Sequence, residues 1–244
     1  MRYANHPISL LFVCSVLILA PTTTGAAEQD IPAIASLPQS ADWWNARHAD
    51  VLLRLQQEHV NLLMIGDSIT QGWNGDGQRV WAAYYGHRQA VNLGFSGDRT
   101  EQVLWRLQHG EIDGISPKVA VVMIGTNNSG ARMDPPEQTA AGIHAILTVL
   151  RANLPETRVL LLGIFPRGAT ATDPLRQLNG AINVRLRQFA ATQCVFYLDI
   201  GDLFVDAEGQ LKSDLMPDLL HVSERGYRVW AEGMEDRLKV LLGE

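Results

Sequence analysis

The chain has 244 residues, of which 46% are hydrophobic, and its formal net charge is -6. This is enough apolar material for one domain with a substantial core, and it excludes a largely disordered chain. The acidic balance argues against nucleic acid or an anionic membrane surface as a partner, because both attract basic proteins.

The first 27 residues have the order of features typical of a secretory signal peptide. Arg2 gives a basic start, the apolar stretch at 8–20 is short for a bilayer span, and small residues follow near Ala26 and Ala27. We therefore expect cleavage near Ala27, export to the periplasm or the exterior, and no stable membrane span afterwards. An uncleaved N-terminal anchor is the alternative.

The rest of the chain alternates between helical and strand patterns. A leader at 28–40 precedes an amphipathic helical pattern at 42–59, so 28–59 forms an N-terminal leader and helix. Near-continuous apolar runs predict strands buried on both faces at 60–66, 89–94, 118–125, 158–165 and 195–200. Helical patterns follow at 99–111, 135–154, 173–191 and 223–242. This order predicts a doubly wound three-layer α/β/α domain over 60–244 with a five-stranded parallel sheet.

Two of these helices carry start signals. Asp98 and Glu101 have the spacing of a capping box at the helix that begins near residue 99. Asp134 precedes Pro135, which the pattern places at the first position of the next helix.

Polar residues follow several predicted strands. Ser68 follows the first strand, Gly97 the second and Asn127 the third, while Asp218 and His221 precede the final helix. Binding sites of such sheets lie beyond the carboxyl ends of the strands. We therefore expect these five residues to meet at one edge of the sheet.

Their chemistry fits acyl transfer. His221 could take the proton of Ser68 and return it to the leaving alcohol, and Asp218 could hold the other ring nitrogen. The backbone N–H groups of Ser68 and Gly97 and the Asn127 amide could bind the oxyanion. This chemistry needs no metal, and the histidines show no metal-ligand spacing.

The same residues carry a family resemblance. GDS at 66–68, GFSGD at 94–98, GTNN at 125–128 and DLLH at 218–221 resemble, in this order, the four sequence blocks of the SGNH (GDSL) hydrolase superfamily. The longer stretches 96–128 and 163–179 resemble the branch that contains the catalytic subunits of platelet-activating-factor acetylhydrolase. The similarity runs from about residue 60 to residue 242.

The resemblance implies a flavodoxin-like SGNH hydrolase fold and cofactor-free hydrolysis of short acyl esters. It makes Ser68, Asp218 and His221 the catalytic triad, and it completes the oxyanion hole of Ser68 with Gly97 and Asn127. It also suggests a homodimer.

In that branch, three further side chains crowd the acyl group. They are the residues after the serine, before the oxyanion asparagine and before the histidine, which here are Ile69, Thr126 and Leu220. The resemblance therefore implies that these three residues bind the substrate and limit the length of its acyl chain.

The alcohol portion of the substrate stays open. The animal members of the branch are cytosolic, whereas this chain is predicted to be exported, so an acetylated glycan or another small-molecule ester competes with a phospholipid as the substrate. A catalytically silent glycan- or lipid-binding module on the same fold is the alternative function. The complete set of Ser68, Asp218 and His221 favours the serine esterase.

Three side chains near the blocks each have two interpretations. Asp67 is interpreted as shaping the turn behind Ser68 rather than as a catalytic carboxylate. Trp73 could pack in the core or line the mouth of the site. Arg167 follows the fourth strand at the same edge as the site and is interpreted as a member of a structural ion pair rather than as a site residue.

Overall fold

Five parallel strands form the centre of the protein. A computed structural model describes residues 32–191 and 194–244, so the predicted signal peptide at 1–27 lies outside the described residues. The strands lie in the order β2-β1-β3-β4-β5. They are β1 (Leu62–Gly66), β2 (Ala90–Gly94), β3 (Val119–Met123), β4 (Arg158–Leu162) and β5 (Val195–Leu198). All five predicted strands and their parallel arrangement are confirmed.

Helices connect the strands. They are α1 (Asp42–Gln57), α2 (Ser68–Gln71), α3 (Gln78–Tyr84), α4 (Thr100–Arg106), α5 (Pro136–Asn153), α6 (Pro174–Leu186) and α7 (Glu224–Leu242). Short 3-10 turns lie at Pro32–Ile34, Gly72–Asn74, Arg187–Ala191 and Gly201–Phe204, and π turns lie at Leu107–Glu111 and Asn128–Arg132. No helix in the described part of the chain is long and apolar enough to cross a bilayer.

The sheet is covered on both faces, which confirms the three-layer architecture. Side chains of one strand alternate between the faces, so Leu63 and Ile65 of β1 pack with α1, α4, α5 and α6. Leu62 and Met64 point the other way and pack with α3 and α7. Helix α1 therefore contributes its apolar side to the same core as the sheet, through Trp44, Val51 and Leu55.

The predicted helix starts at Asp98 and Asp134 are wrong. Asp98 is fully buried and its carboxylate binds side chains distant in sequence, while Asn128 Oδ1 accepts the N–H of Thr100 in the first turn of α4, at 3.1 Å. Helix α5 begins one residue later than predicted, at Pro136. The Asp134 carboxylate instead pairs with Arg132 at 2.6 Å.

Helix α4 is also shorter than its apolar pattern predicts. It ends at Arg106, and the following π turn contains Gly110 with a φ of 105°. Only glycine adopts this backbone region without strain. The helical pattern of the sequence thus extends to residue 111, whereas the helix itself ends at Arg106.

Candidate active site

Ser68 lies at the junction of β1 and α2, two residues beyond the end of β1. Asp67 shapes this junction as predicted, because its Oδ1 accepts the backbone N–H of Ile69 at 3.0 Å. A Cβ on Gly66 would lie 2.2 Å from Thr70 Oγ1 and 2.5 Å from the Met123 carbonyl oxygen, so only glycine permits this close approach. As the first residue of α2, Ser68 has an N–H with no acceptor one turn earlier in the helix.

Tyr227 of α7 holds the other side of this junction. Its hydroxyl donates to the Ile69 carbonyl oxygen at 2.6 Å, and the hydroxyl lies where a Cβ on Gly72 would be. The sequence analysis missed this residue. No local sequence pattern indicates which carbonyl oxygen a buried hydroxyl reaches.

Ser68, His221 and Asp218 form a continuous hydrogen-bonded chain. Ser68 Oγ lies 3.0 Å from His221 Nε2, and His221 Nδ1 lies 2.6 Å from Asp218 Oδ2. The other carboxylate oxygen, Asp218 Oδ1, accepts the backbone N–H groups of Leu220 and His221 at 3.0 and 2.6 Å. Of the three residues predicted as a triad, His221 is therefore within hydrogen-bonding distance of both Ser68 and Asp218.

The carboxylate of Asp218 determines which ring nitrogen carries the proton. Partial burial opposes ionisation, but the hydrogen bonds from His221 and Leu220 outweigh it and hold the pKa of Asp218 below its usual value. An ionised carboxylate only accepts hydrogen bonds, so Nδ1 of His221 donates to it. In the neutral ring, Nε2 then has a free lone pair facing the Ser68 hydroxyl, as a general base requires.

Gly97 lies in a tight turn at the end of β2. The Asp98 N–H donates to the Phe95 carbonyl oxygen at 3.2 Å, and Gly97, the third residue of the turn, has a φ of 75°. Ser96 has no positive φ, so this is a type II turn, which favours glycine at that position. Gly97 is exposed, and its N–H donates to no protein acceptor within the described residues.

Asn127 is oriented by the same turn. Its Nδ2 donates one hydrogen to the Asp98 carbonyl oxygen at 2.9 Å, and an amide nitrogen carries two. The strand register brings the three predicted donors to one edge, because Gly66 pairs with Gly94 on one side and with Met123 on the other. Ser68, Gly97 and Asn127 follow these three strand ends within a few residues.

The three side chains predicted to bind the acyl group differ in exposure. Ile69 and Thr126 are each only 2% exposed, whereas Leu220 is half-buried. Leu220 packs against the core cluster that contains Ile69. Of the three, Leu220 is therefore the side chain that an entering substrate could contact most directly.

Arg167 and Trp73 have clear positions. Arg167 Nη1 donates to the carbonyl and hydroxyl oxygens of Thr126 at 3.0 and 3.3 Å, and it makes no ion pair with any described carboxylate, so the ion-pair interpretation is wrong. The N–H of the next residue, Gly168, donates to the Leu219 carbonyl oxygen at 3.0 Å, which joins this loop to the loop that contains Asp218 and His221. Trp73 is 1% exposed and packs on Tyr227, so it belongs to the core.

The site thus brings together a serine hydroxyl, an imidazole, a carboxylate that is hydrogen-bonded to the imidazole, and N–H groups without a protein acceptor among the described residues. Its imidazole and carboxylate are open to solvent, with the side chains of His221 and Asp218 47% and 55% exposed. Across the described residues, no cluster of three or more His, Cys, Asp or Glu side chains could hold a metal ion.

Asp67 makes the stability of the site depend on pH. Burial raises the pKa of its carboxyl from 3.8 to about 7; the charge of Asp98 also raises it, while the Ile69 N–H and His221 oppose the rise. Between these two values the folded state binds more protons than the unfolded state. The contribution of Asp67 to stability therefore falls as pH rises from about 4 to about 7.

We expect the Asp67→Asn variant to gain stability relative to wild type as the pH rises from about 5 to about 8. The asparagine keeps an acceptor for the Ile69 N–H but cannot ionise, and each pKa unit corresponds to about 1.4 kcal/mol, so a gain on the order of 1–3 kcal/mol is expected. Urea unfolding at several pH values measures it. Glu111, whose pKa burial also raises to about 7, is common to both proteins and cancels. A difference that does not vary with pH, or one shared by the exposed Asp113→Asn control, would contradict this account.

Known proteins resemble the chain in sequence and in fold. The model of the GDSL-like lipase/acylhydrolase family matches residues 64–229. Platelet-activating factor acetylhydrolase IB subunit alpha2 of Rattus norvegicus is 34% identical over 218 residues, which cover 88% of this chain and 91% of that protein.

Two solved structures share the fold. A GDSL-like lipase from Bacteroides thetaiotaomicron superposes with a TM-score of 0.66 at 20% identity, covering 80% of this chain and 97% of that one. A carbohydrate acetylesterase family member from Sinorhizobium meliloti superposes with a TM-score of 0.60 at 16% identity, covering 76% of this chain and 100% of that one.

Proposed function

The chain belongs to the GDSL-like lipase/acylhydrolase family and is a carboxylic-ester hydrolase, and on this premise we propose that it is a serine esterase for short-chain, chiefly acetyl, esters. Ser68 is the nucleophile, His221 the base and Asp218 the orienting carboxylate. The observation that carries the proposal is the unbroken series of hydrogen bonds from Ser68 through His221 to Asp218.

The proposed reaction has two half-reactions. Ser68 Oγ attacks the ester carbonyl carbon while His221 Nε2 takes its proton, and the oxyanion is stabilised by the N–H groups of Ser68 and Gly97 and by the Asn127 amide. The carbon–oxygen bond to the alcohol then breaks, and His221 gives its proton to the leaving alcohol. Water, activated in turn by His221, attacks the acyl-serine and releases the acid and Ser68.

The openness of the site supports a substrate with a large alcohol portion. With the side chains of His221 and Asp218 about half exposed, the alcohol can remain in solvent while only the acyl group is enclosed. The similarity to a carbohydrate acetylesterase family member favours an acetylated glycan, and the similarity to platelet-activating factor acetylhydrolase subunits favours an acetyl phospholipid. We propose the glycan for a chain that is exported after cleavage near Ala27, with a homodimer as its assembly.

Hydrolysis of p-nitrophenyl acetate by residues 28–244 tests the proposal, with the Ser68→Ala variant as the blank. Acetate release from acetylated glycans and from acetyl phospholipids then identifies the alcohol. Binding of a glycan or lipid without any Ser68-dependent turnover would instead favour the silent binding module.

We expect kcat/KM to fall from acetate to butyrate to octanoate esters. An additional methylene would gain about 0.8 kcal/mol if it were buried, but in a pocket already filled by Ile69, Thr126 and Leu220 overpacking costs roughly 1–3 kcal/mol. In the Leu220→Ala variant, kcat/KM should decrease less with acyl-chain length, because Leu220 is the least buried of the three. The Leu53→Ala variant removes an exposed leucine of α1 and is the control. A preference for octanoate in wild type, or an unchanged profile in Leu220→Ala, would overturn the pocket assignment.

A further inference from the structure

The turn that contains Gly97 is hydrogen-bonded to the segment before α1. Gln39 Nε2 donates one hydrogen to the Ser96 carbonyl oxygen at 3.0 Å and the other to Asp98 Oδ1 at 2.7 Å. In the described structure, no other donor reaches the Ser96 carbonyl. Gln39 lies outside the stretch matched by the family model, which begins at residue 64.

The bond to Ser96 determines where the Gly97 N–H points. The Ser96 carbonyl and the Gly97 N–H belong to the same peptide group, which is planar and trans, so they point in opposite directions. Because Gln39 bonds to the carbonyl of this peptide, the Gly97 N–H points away from that bond, and Gly97 is exposed. A type I turn would have this peptide flipped, because the two turn types differ chiefly in its orientation.

Other contacts hold the turn in place without Gln39. The Asp98 carboxylate also accepts Trp44 Nε1 at 2.8 Å and Arg106 Nε at 2.9 Å, all three side chains being buried. Arg106 also forms a fully buried ion pair with Glu111. The position of residue 98 is thus fixed by several side chains. Gln71 Oε1 accepts the N–H of Ser96, in the preceding peptide, at 2.6 Å. Among the described residues, Gln39 is the side chain that bonds to the 96–97 peptide itself.

We infer that Gln39 is a positioning residue for catalysis, which selects the peptide orientation that presents the Gly97 N–H to the oxyanion. The inference rests on the proposed function, because it needs an oxyanion at Ser68. It assigns a role in transition-state stabilisation to the segment before α1. Gln39 itself touches no substrate.

The Gln39→Met variant tests this inference, since methionine keeps the length of the side chain and removes both donors. We expect kcat for p-nitrophenyl acetate to fall roughly tenfold with KM little changed, less than the 10²–10³ of deleting an oxyanion donor outright. The inhibition constant of a methyl trifluoromethyl ketone should rise by the same factor, because its adduct with Ser68 places an oxyanion in the same hole. The melting temperature should stay close to that of wild type.

The matched control is Ser36→Ala. Ser36 lies in the same segment and donates to Gln108 Oε1 at 2.6 Å, so its loss removes one bond between this segment and the body of the protein but leaves the turn alone. The control should keep the wild-type kcat and the wild-type inhibition constant.

Several results would overturn the inference. They are a wild-type kcat in Gln39→Met, a change confined to KM, and equal losses in Gln39→Met and Ser36→Ala that follow the melting temperature. If wild type is active and Gln39→Met keeps the wild-type kcat, only the role of Gln39 is rejected. A wild type with no Ser68-dependent turnover rejects the proposed function, and the role of Gln39 with it.

Discussion

The Ser68→Ala variant is expected to lose ester hydrolysis almost completely and to resist covalent labelling by a fluorophosphonate. The hydroxyl that it lacks lies 3.0 Å from His221 Nε2 and is the proposed nucleophile. Losses on the order of 10⁶ in kcat are typical when the nucleophile or the base of such a triad is removed. Initial rates with p-nitrophenyl acetate and gel-based labelling measure both effects.

The same reasoning predicts a strongly non-additive effect of His221. The His221→Ala variant should lose nearly as much activity as Ser68→Ala, and the double variant little more, because nucleophile and base act as a unit. The Ser213→Ala variant removes an exposed serine from the preceding loop and should keep full activity. If the two losses add, or if Ser68→Ala is still labelled, Ser68 and His221 do not cooperate as proposed.

The Asn127→Ala variant is expected to lower kcat by roughly 10²–10³. One amide hydrogen of Asn127 is bound by the Asp98 carbonyl oxygen, and the other is available to an oxyanion. The Asn127→Asp variant keeps the size of the side chain but replaces the donor by a carboxylate, so we expect it to be at least as impaired. Steady-state kinetics with p-nitrophenyl acetate separate kcat from KM.

Asn153→Ala, on the exposed end of α5, is the control for loss of a surface amide. Melting temperatures show whether the bond to Asp98 matters for the fold rather than for the reaction. A change confined to KM would make Asn127 a substrate-binding residue instead of an oxyanion donor.

Strands with continuous apolar runs and long amphipathic helices could be predicted from the sequence. The five strands are buried on both faces, so their apolar runs are distinctive, and helix α7 spans 19 residues with a clear amphipathic pattern. Helix α2 was missed because its four residues are a single turn, too short to show a helical period. Within the structure it is capped by the Asp67 carboxylate and bound by the Tyr227 hydroxyl.

The ordered sequence blocks predicted which residues would lie together at this edge of the sheet, but local spacing did not predict contacts with partners distant in the sequence. The local spacing of Asp98 and Glu101 resembles a capping box, but the carboxylate of Asp98 is bound by Trp44, 54 positions away in the sequence. Arg167 likewise binds Thr126, 41 positions away, instead of a carboxylate. Such contacts arise from the sheet topology, which brings loops from separate strands to one edge.

The hydrogen bond between Ser68 and His221 joins residues 153 positions apart. Contacts between such distant parts of a chain require large loops to close, and topologies rich in them fold slowly. A nascent chain that has emerged only as far as β5 possesses the serine and the sheet but no base, and it cannot hydrolyse an ester by this route. Recovery of activity during refolding should therefore trail the recovery of helical circular dichroism, which makes turnover a reporter of the last step in assembly of the native state.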